Sequence, residues 1–359
     1  MKQRMGVLSW TDLDVQPGDH KEGRLVVSES YAGVDIAIPF SVWRGKRDGP
    51  AVFITAAVHG DEINGTGAIR HILMHWPFKL VAGTLVMVPV VNLMGFERNS
   101  RYLPDRRDLN RSFPGTAGGS LAARLANAVF TGLVKPCQYG IDLHTAAVRR
   151  TNFPNVRADM TNPDTATFAR AFGAELTMHG GGPDGSLRAA AGAVGVPTII
   201  LEAGEVWKVE PTYVEHAVRG IRNCLIHLGM VEGDPEPPAY RIEVDDAKWV
   251  RAENGGFLSF HVGPGSIVAK GDAIATQTDL LGNEKTVIEA PQSGIILGMT
   301  TIPSVAPGDP ICHIAYPSDG DLHRAETAQD ALADHHLHER TREDLSRNMH
   351  LSEAPDQHK

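Results

Sequence analysis

Short apolar runs recur through the first two thirds of the chain and alternate with stretches of helical periodicity. Ala51–Val58, Thr84–Val91 and Val196–Leu201 are nearly continuous apolar runs, which predict fully buried strands. From Glu62 to Trp76 the apolar residues instead recur at helical spacing and stop at Pro77, which predicts a helix. Strands that alternate with helices in this way indicate an α/β sheet with crossover connections.

The rest of this region follows the same alternation. Residues 25–45 are rich in Val and Ile and predict one or two strands with a turn near Gly33. Further predicted elements are a strand at 139–145 and helices at 121–134, 163–172, 186–194 and 211–228. The polar segment at 92–119 is longer than an ordinary connection, and loops of that length inside a compact domain are usually functional.

The pattern changes near residue 231. Residues 231–239 hold three prolines and three acidic residues, a composition typical of a linker. After the linker, Gly and Pro interrupt short β-like runs, and helical periodicity is weak. The predicted organisation is therefore an N-terminal extension at 1–24, a catalytic domain at 25–230, the linker, an all-β module at 240–316 and a polar tail, expected to be flexible, at 317–359.

Composition narrows the class of protein. The 359 residues are 42% hydrophobic and 21% charged, as in ordinary globular proteins, and the net charge of −9 argues against a general nucleic-acid binder. Three cysteines lie far apart, which favours a reducing compartment. The N-terminus lacks a secretory apolar segment, and the longest uncharged stretch, Leu80–Phe96, is short for a membrane span. We therefore expect a cytoplasmic protein with neither nucleic-acid nor membrane partners.

The strongest chemical signal is a His-x-x-Glu pair, His59 and Glu62, that follows the first buried strand. Catalytic zinc uses three nitrogen or oxygen ligands and keeps one position for water, so a third ligand is needed. His144 ends another predicted strand, and the ends of parallel strands gather at one edge of a sheet. His59, Glu62 and His144 are therefore candidate ligands of one zinc ion, although a His-x-x-Glu pair alone is more often an ordinary polar loop.

A second signal lies in the polar segment, where residues 108–115 read DLNRSFPG. Arg holds carboxylates with a rigid two-pronged fork, and a neighbouring Asn amide adds a donor. Asn110 and Arg111 are therefore candidates for holding a substrate carboxylate. The alternative is a solvated face, because several arginines precede the motif: Arg98, Arg101, Arg106 and Arg107.

A third signal is Glu202, which comes directly after the apolar run that ends at Leu201. A carboxylate at the end of a buried strand is suited to act as a general base. The alternatives are an ion pair with Arg188 or a helix cap. Glu205 competes for the same role, but its position further along favours a surface or supporting group.

Four motifs occur in a fixed order along the chain: HGDEING at 59–65, DLNRSFPG at 108–115, DLHT at 142–145 and LEAGE at 201–205. In this order they resemble the succinylglutamate desuccinylase/aspartoacylase family, zinc hydrolases related to the metallocarboxypeptidases. The resemblance covers roughly residues 25–315. It implies a zinc-carboxypeptidase-like mixed twisted sheet flanked by helices, and it is consistent with a C-terminal all-β barrel-sandwich module.

The resemblance also implies roles for individual residues. The zinc ligands of the family correspond to His59, Glu62 and His144, and the base that opens its Glu-x-Gly motif corresponds to Glu202. The Asn-Arg pair that holds the substrate carboxylate corresponds to Asn110 and Arg111. The carbonyl-polarising Arg corresponds to Arg101, although the spacing to the Asn-Arg pair leaves three alternatives open: Arg98, Arg106 and Arg107.

The expected function is hydrolysis of an N-acyl amino acid or similar small amide by a zinc-activated water, with one Zn²⁺ per chain. The rivals are a metallocarboxypeptidase that acts on peptides and a non-catalytic binding protein on the same fold. The family often forms oligomers, which leaves a homo-oligomer open, but the oligomeric state does not follow from the sequence. Neither the acyl group nor the amine follows from the sequence, and several further arginines compete to bind substrate: Arg149, Arg150, Arg157 and Arg188.

Overall fold

The central feature of the molecule is a large twisted sheet of thirteen strands, parallel and antiparallel, with helices on both faces. The computed structural model describes residues 9–10, 13–30, 32–331, 337–346 and 351. The predicted α/β class is therefore confirmed.

The strands are numbered along the chain. They are β1 (Ser9–Trp10), β2 (Leu13–Asp14), β3 (His20–Glu29), β4 (Asp35–Arg44), β5 (Arg47–Ala56), β6 (Ala82–Val88), β7 (Tyr139–His144), β8 (Arg150–Ala158), β9 (Leu176–His179), β10 (Thr198–Glu205), β11 (Ile242–Val244), β12 (Ala247–Arg251), β13 (Gly256–Phe260), β14 (Ile267–Val268), β15 (Ala273–Thr278), β16 (Glu284–Glu289), β17 (Gly294–Thr300), β18 (Ser304–Val305) and β19 (Pro310–Ala315).

The helices are numbered in the same way. They are α1 (Asn64–His75), α2 (Leu93–Phe96), α3 (Leu121–Val129), α4 (Pro163–Phe172), α5 (Leu187–Ala193), α6 (Pro211–His227), α7 (Asp319–Asp330) and α8 (Leu337–Ser346). A 3₁₀ turn covers Leu109–Arg111, and α3 continues into a π-helical turn at Phe130–Val134.

The main sheet runs in the order β12-β19-β17-β8-β10-β7-β5-β6-β4-β3, with β9, β11 and β14 attached at its side. Its centre is parallel, because β5 pairs in parallel with both β6 and β7, and β7 pairs in parallel with β10. On the far side of β10, β8 runs antiparallel. The carboxyl ends of the parallel strands thus meet at one edge, where ligands bind in sheets of this kind.

Two hydrophobic layers hold the helices against the sheet. Apolar side chains of α1, α4 and α6 pack on one face around residues such as Ile54 and Leu143. Helices α3 and α5 pack on the other face around Phe53 and Val86. This burial on both faces explains why the central strands read as continuous apolar runs in the sequence.

Strands from the C-terminal part of the chain extend the same sheet. In β17, Gly298 pairs with Asn152 of β8, and β19 and β12 continue outward from β17. A second sheet of four strands has the order β16-β15-β13-β18. The barrel-sandwich arrangement itself stays a prediction.

Two strands of the main sheet differ from what the sequence predicts. Strand β10 continues to Glu205 instead of ending at Leu201, because β7 and β8 flank it on both sides and pair across Glu202. No strand was expected at 150–158, yet β8 lies there in the middle of the sheet. Its polar residues conceal it in the hydropathy pattern.

A third difference concerns the chain after residue 316, which was expected to be flexible. The structure has α7 and α8 in this segment, and both bury part of one face, including Leu322 and Leu345. His338 of α8 lies 2.7 Å from Glu175 in the body of the protein. No helix among the described residues combines the length and the apolar character that crossing a membrane requires.

Candidate functional site

A cavity of about 310 Å³ opens at the carboxyl edge of the parallel strands. Its lining includes His59, Glu62 and His144, together with Glu202 from β10. The structure therefore brings the candidate ligands and the candidate base into one cavity. The loop after β5 holds His59 and Glu62, β7 ends at His144, and Glu202 lies within β10 beside it.

The three candidate metal ligands converge closely. A ring nitrogen of His59, a ring nitrogen of His144 and a carboxylate oxygen of Glu62 all lie within 4.8 Å of one another. The loop reaches this position because Gly60 lies directly against the backbone of Gly95, where any Cβ would collide. All three ligand residues are buried.

Two carboxylates orient the histidine rings. The Nε2 atom of His144 lies 2.8 Å from Asp142, and the Nε2 atom of His59 lies 3.2 Å from Asp108. In both rings Nδ1 is consequently the nitrogen that faces Glu62, at 2.7 Å for His59 and 2.8 Å for His144. Carboxylates that hold the second nitrogen are typical of metal-binding histidines, because they fix the ring orientation and raise its basicity.

The donor set fits a zinc ion. The Nδ1 atom of His59 is buried and has no hydrogen-bond partner among the described residues, since its approach to Glu62 lacks hydrogen-bond geometry. A buried nitrogen in that condition is costly unless another group uses its lone pair. Two imidazole nitrogens and one carboxylate are a common ligand set of catalytic zinc.

The pKa values follow from the same contacts. Burial alone would raise the pKa of the Glu62 carboxyl, but the charges of His59 and His144 outweigh burial and lower it. Burial alone would lower the pKa of His144, but the carboxylates of Asp142 and Glu62 raise it well above its ordinary value. A cluster so rich in negative charge attracts a cation, whether a proton or a metal ion.

Glu202 stands beside this cluster, within β10 and in register with His144 of β7. Its side chain is 16% exposed, and its Oε2 atom accepts a hydrogen bond of 3.2 Å from Asn152. Arg157 approaches its other oxygen at 3.7 Å. Among the ion pairs of the described residues, none joins Glu202 to Arg188. Glu205 is differently placed, because its two oxygens bind Lys208 and Thr301 at 2.6 Å.

Asn110 and Arg111 form part of the cavity wall. The side-chain oxygen of Asn110 accepts a hydrogen bond of 2.9 Å from the backbone of Leu187, which ties the 3₁₀ turn to the start of α5. One Nη atom of Arg111 donates to the Asn110 carbonyl at 2.7 Å. Within the described ranges, the hydrogen bonds of these two side chains do not use the Asn110 amide nitrogen or the other Nη atom of Arg111.

Five of the candidate arginines line the cavity: Arg101, Arg111, Arg150, Arg157 and Arg188. Arg101 donates to Glu62 at 3.2 Å and to Asp108 at 3.0 Å, beside the metal cluster. Four others are exposed and lie outside the cavity lining: Arg98, Arg106, Arg107 and Arg149.

Arg188 differs from the other arginines in its surroundings. It is 8% exposed, and neither its Nε nor its Nη1 atom has a hydrogen-bond partner among the described residues. Burial and the nearby charge of Arg157 lower its pKa to about 10, so it remains a cation at neutral pH. A buried guanidinium with unused donors is suited to bind an anionic group.

The sequence patterns missed several residues that line the cavity or support its ligands. Asp142 could have been found from the alternation that places it on the same strand face as His144. Trp249 and His313 are different, because they come from β12 and β19 and no local motif marks them. Their rings stack at 4.6 Å, and the guanidinium of Arg150 lies 4.7 Å from the Trp249 ring centre.

Comparison with known proteins agrees with this arrangement. The family model for the succinylglutamate desuccinylase/aspartoacylase catalytic domain matches residues 48–228. The chain is 29% identical over 331 residues to the N-alpha-acetyl-L-2,4-diaminobutyric acid deacetylase of Halomonas elongata, covering 88% of this chain and 96% of the relative.

Solved structures share the fold over most of the chain. The product-bound ectoine utilization protein EutE (DoeB) of Ruegeria pomeroyi superposes with a TM-score of 0.71 at 24% identity, covering 82% of this chain and 94% of that protein. A succinylglutamate desuccinylase/aspartoacylase of Rhodobacter sphaeroides gives a TM-score of 0.71 at 25% identity, with coverages of 83% and 96%. The similarity therefore extends beyond the catalytic region to the C-terminal strands.

Proposed function

The chain belongs to the succinylglutamate desuccinylase/aspartoacylase family, and on that premise we propose that it is a zinc-dependent hydrolase of N-acyl amino acids. The family and the Halomonas elongata relative act on amide bonds, so the chain is an amidohydrolase. The observation that supports zinc most directly is the convergence of His59, Glu62 and His144, whose ligand atoms all lie within 4.8 Å of one another at buried positions. Those three residues would hold one Zn²⁺ per chain.

Zinc bound there would act as a Lewis acid toward the scissile carbonyl and would lower the pKa of water at the site. Glu202 is the base in this proposal. It takes one proton from the attacking water and delivers it to the amine nitrogen as the C–N bond breaks. The products are a carboxylate and a free amine, so the reaction consumes one water and needs no further reactant.

Arg101 is proposed to stabilise the negative charge that develops on the carbonyl oxygen. Its contacts with Glu62 and Asp108 hold the guanidinium beside the metal cluster. A guanidinium carries five N–H groups, and these contacts occupy only part of them, which leaves donors for an oxyanion. Fixed donors of this kind need no rearrangement when the charge forms.

Substrate binding is assigned to Asn110 and Arg111, with Arg188 as a further anion-binding group. The relative from Halomonas elongata is named for an acylated amino acid, which carries one carboxylate. The cavity of this chain offers several guanidinium groups and thus favours an N-acyl amino acid with an anionic or neutral side chain over one whose side chain carries an ammonium group.

The cavity size bears on the rival functions. A volume of about 310 Å³ is at the small end of ligand sites and suits a small amide better than a peptide. The ring pair of Trp249 and His313 forms part of the cavity wall. A binding protein would have no need of a base such as Glu202. Cytoplasmic localisation stays a prediction, and a homo-oligomeric state stays open.

The test combines metal analysis with a deacylation screen on N-acetyl, N-succinyl and N-formyl amino acids. We expect one zinc per chain and amine release that a chelator abolishes and zinc restores. The Glu202→Gln variant should keep its zinc and lose about 10²–10⁴-fold in kcat, because it lacks the base. Glu205→Gln is the matched control and should retain activity. Near-normal activity of Glu202→Gln, with an inactive Glu205→Gln, would transfer the base to Glu205.

A further inference from the structure

The environment of Glu202 contains one hydrogen bond that the proposed reaction does not use. Asn152 of β8 donates from Nδ2 to Glu202 Oε2 at 3.2 Å. Asn152 is 7% exposed, so its amide is fixed inside the protein. This is the one side-chain hydrogen bond to the Glu202 carboxylate among the residues that the structure describes. The amide must present nitrogen to Glu202, because its oxygen would face a carboxylate.

A glycine from the C-terminal part of the chain makes room for this amide. Gly298 of β17 lies directly across from Asn152 in the antiparallel ladder. A Cβ atom at Gly298 would collide with the Asn152 side-chain oxygen and would lie 2.8 Å from the Thr151 carbonyl. The absence of a side chain at residue 298 is therefore a condition for the observed position of Asn152.

We propose that Asn152 is a positioning residue for the base Glu202 and that Gly298 provides the space it needs. A hydrogen bond to one carboxylate oxygen restricts rotation about the last side-chain bond and keeps the carboxylate aimed into the cavity. Through this contact, β17 of the C-terminal segment acts on the chemistry of the site. The inference rests on the proposed function, because it takes Glu202 to be the base.

The test is a double-mutant cycle on the full-length zinc enzyme. Asn152→Ala should lower kcat about 10-fold to 100-fold, the usual loss for a supporting residue, with KM and zinc content nearly unchanged. In a Glu202→Gln background, Asn152→Ala should change kcat less than about twofold, because Asn152 acts only through the base. An equal loss in both backgrounds would overturn the proposal and indicate a direct or purely structural role.

Two further variants test whether unfolding, and not the lost hydrogen bond, explains a fall in kcat. Asn152→Asp has the same shape, removes the donor and places a second carboxylate beside Glu202, so it should lose at least as much kcat as Asn152→Ala. Gly298→Ala should lower kcat by displacing the amide, again with zinc retained. If Asn152→Asp keeps the kcat of the parent enzyme, the positioning role is wrong. If Glu202→Gln itself keeps normal activity, the base assignment has failed instead.

Discussion

Arg111 and Arg188 lie on one cavity but differ in how much of each guanidinium is available. Arg111 is exposed and bound through one Nη atom to a backbone carbonyl, whereas Arg188 is buried and two of its nitrogens have no hydrogen-bond partner in the described part of the chain. An exposed guanidinium costs little to leave empty, but a buried one favours an anion strongly. Arg111 therefore suits a carboxylate that enters and leaves with the substrate.

We predict that Arg111→Ala raises KM about 10-fold or more while kcat changes little. The lost contact is charge-assisted and exists in both the ground state and the transition state, so binding weakens uniformly. Steady-state kinetics on an N-acetyl amino acid and on its carboxamide analogue measure the effect, and the analogue should be insensitive. Arg107→Ala is the control, since Arg107 is exposed and outside the cavity lining. A fall in kcat at unchanged KM would contradict this role.

Single residues were predictable where a local motif carried them. His59 and Glu62 are three residues apart, and His144 ends a strand of clear apolar pattern. Asn152, by contrast, is 50 residues from Glu202, and only the pairing of β8 with β10 brings their side chains together. Trp249 and His313 reach the cavity through strands that the pattern assigned to a separate module. Local motifs therefore predict the proposed metal ligands and base, whereas the residues that contact them depend on tertiary pairing.

At the scale of elements, β8 shows why a central strand can be invisible in a hydropathy pattern. It carries Asn152 and Asn155 at buried positions, and both amides form hydrogen bonds to Glu202, one to the carboxylate and one to the backbone carbonyl. Polar residues are tolerated in the interior when their donors and acceptors form hydrogen bonds. Strands that support a catalytic site thus lose the apolar signature on which prediction depends.

A buried histidine of helix α6, His216, makes the stability of the fold depend on pH. Burial, and then the charge of Arg219, lower the pKa of His216 from 6.5 to about 3. Between these two values the unfolded chain binds a proton that the folded chain does not, so the free energy of unfolding falls as the pH falls. For one proton the unfolding equilibrium constant shifts by up to about tenfold per pH unit in this window. Above the window His216 is neutral in both states and does not change the free energy of unfolding.

The matching measurement is urea unfolding of the parent and of His216→Asn at pH 7, 6 and 5. Asn keeps an acceptor for Arg219, which donates to His216 at 2.9 Å in the parent, but it does not titrate. We expect the variant to be less stable at pH 7 and to lose less stability than the parent on acidification. Other histidines titrate equally in both proteins, so only the difference in slope counts. Parallel slopes would show that His216 takes up its proton without unfolding.

At the scale of the whole molecule, the C-terminal strands belong structurally to the main sheet. The sequence favours a separate all-β module, because turn residues and short strands are visible whereas the pairing of β17 with β8 is not. Strand β17 covers what would otherwise be an open edge beside the active site, and an uncovered edge is prone to aggregation. The C-terminal segment therefore serves the site as well as the stability of the fold.

The helices after residue 316 make a different contribution, which a pair of truncations can separate. No residue of α7 or α8 lines the cavity among the described residues, but Leu322 and Leu345 are buried and His338 is paired with Glu175. A chain that ends at residue 316 should therefore keep its zinc, kcat and KM but unfold at a lower temperature, since each buried leucine contributes about 2 kcal/mol.

A chain that ends at residue 239 also lacks β17, Trp249 and His313, so it should lose activity and aggregate. Zinc analysis, steady-state kinetics and thermal unfolding of both truncated chains measure these effects. If the shorter tail deletion lost activity at an unchanged melting temperature, α7 and α8 would have a role in catalysis that their contacts do not indicate.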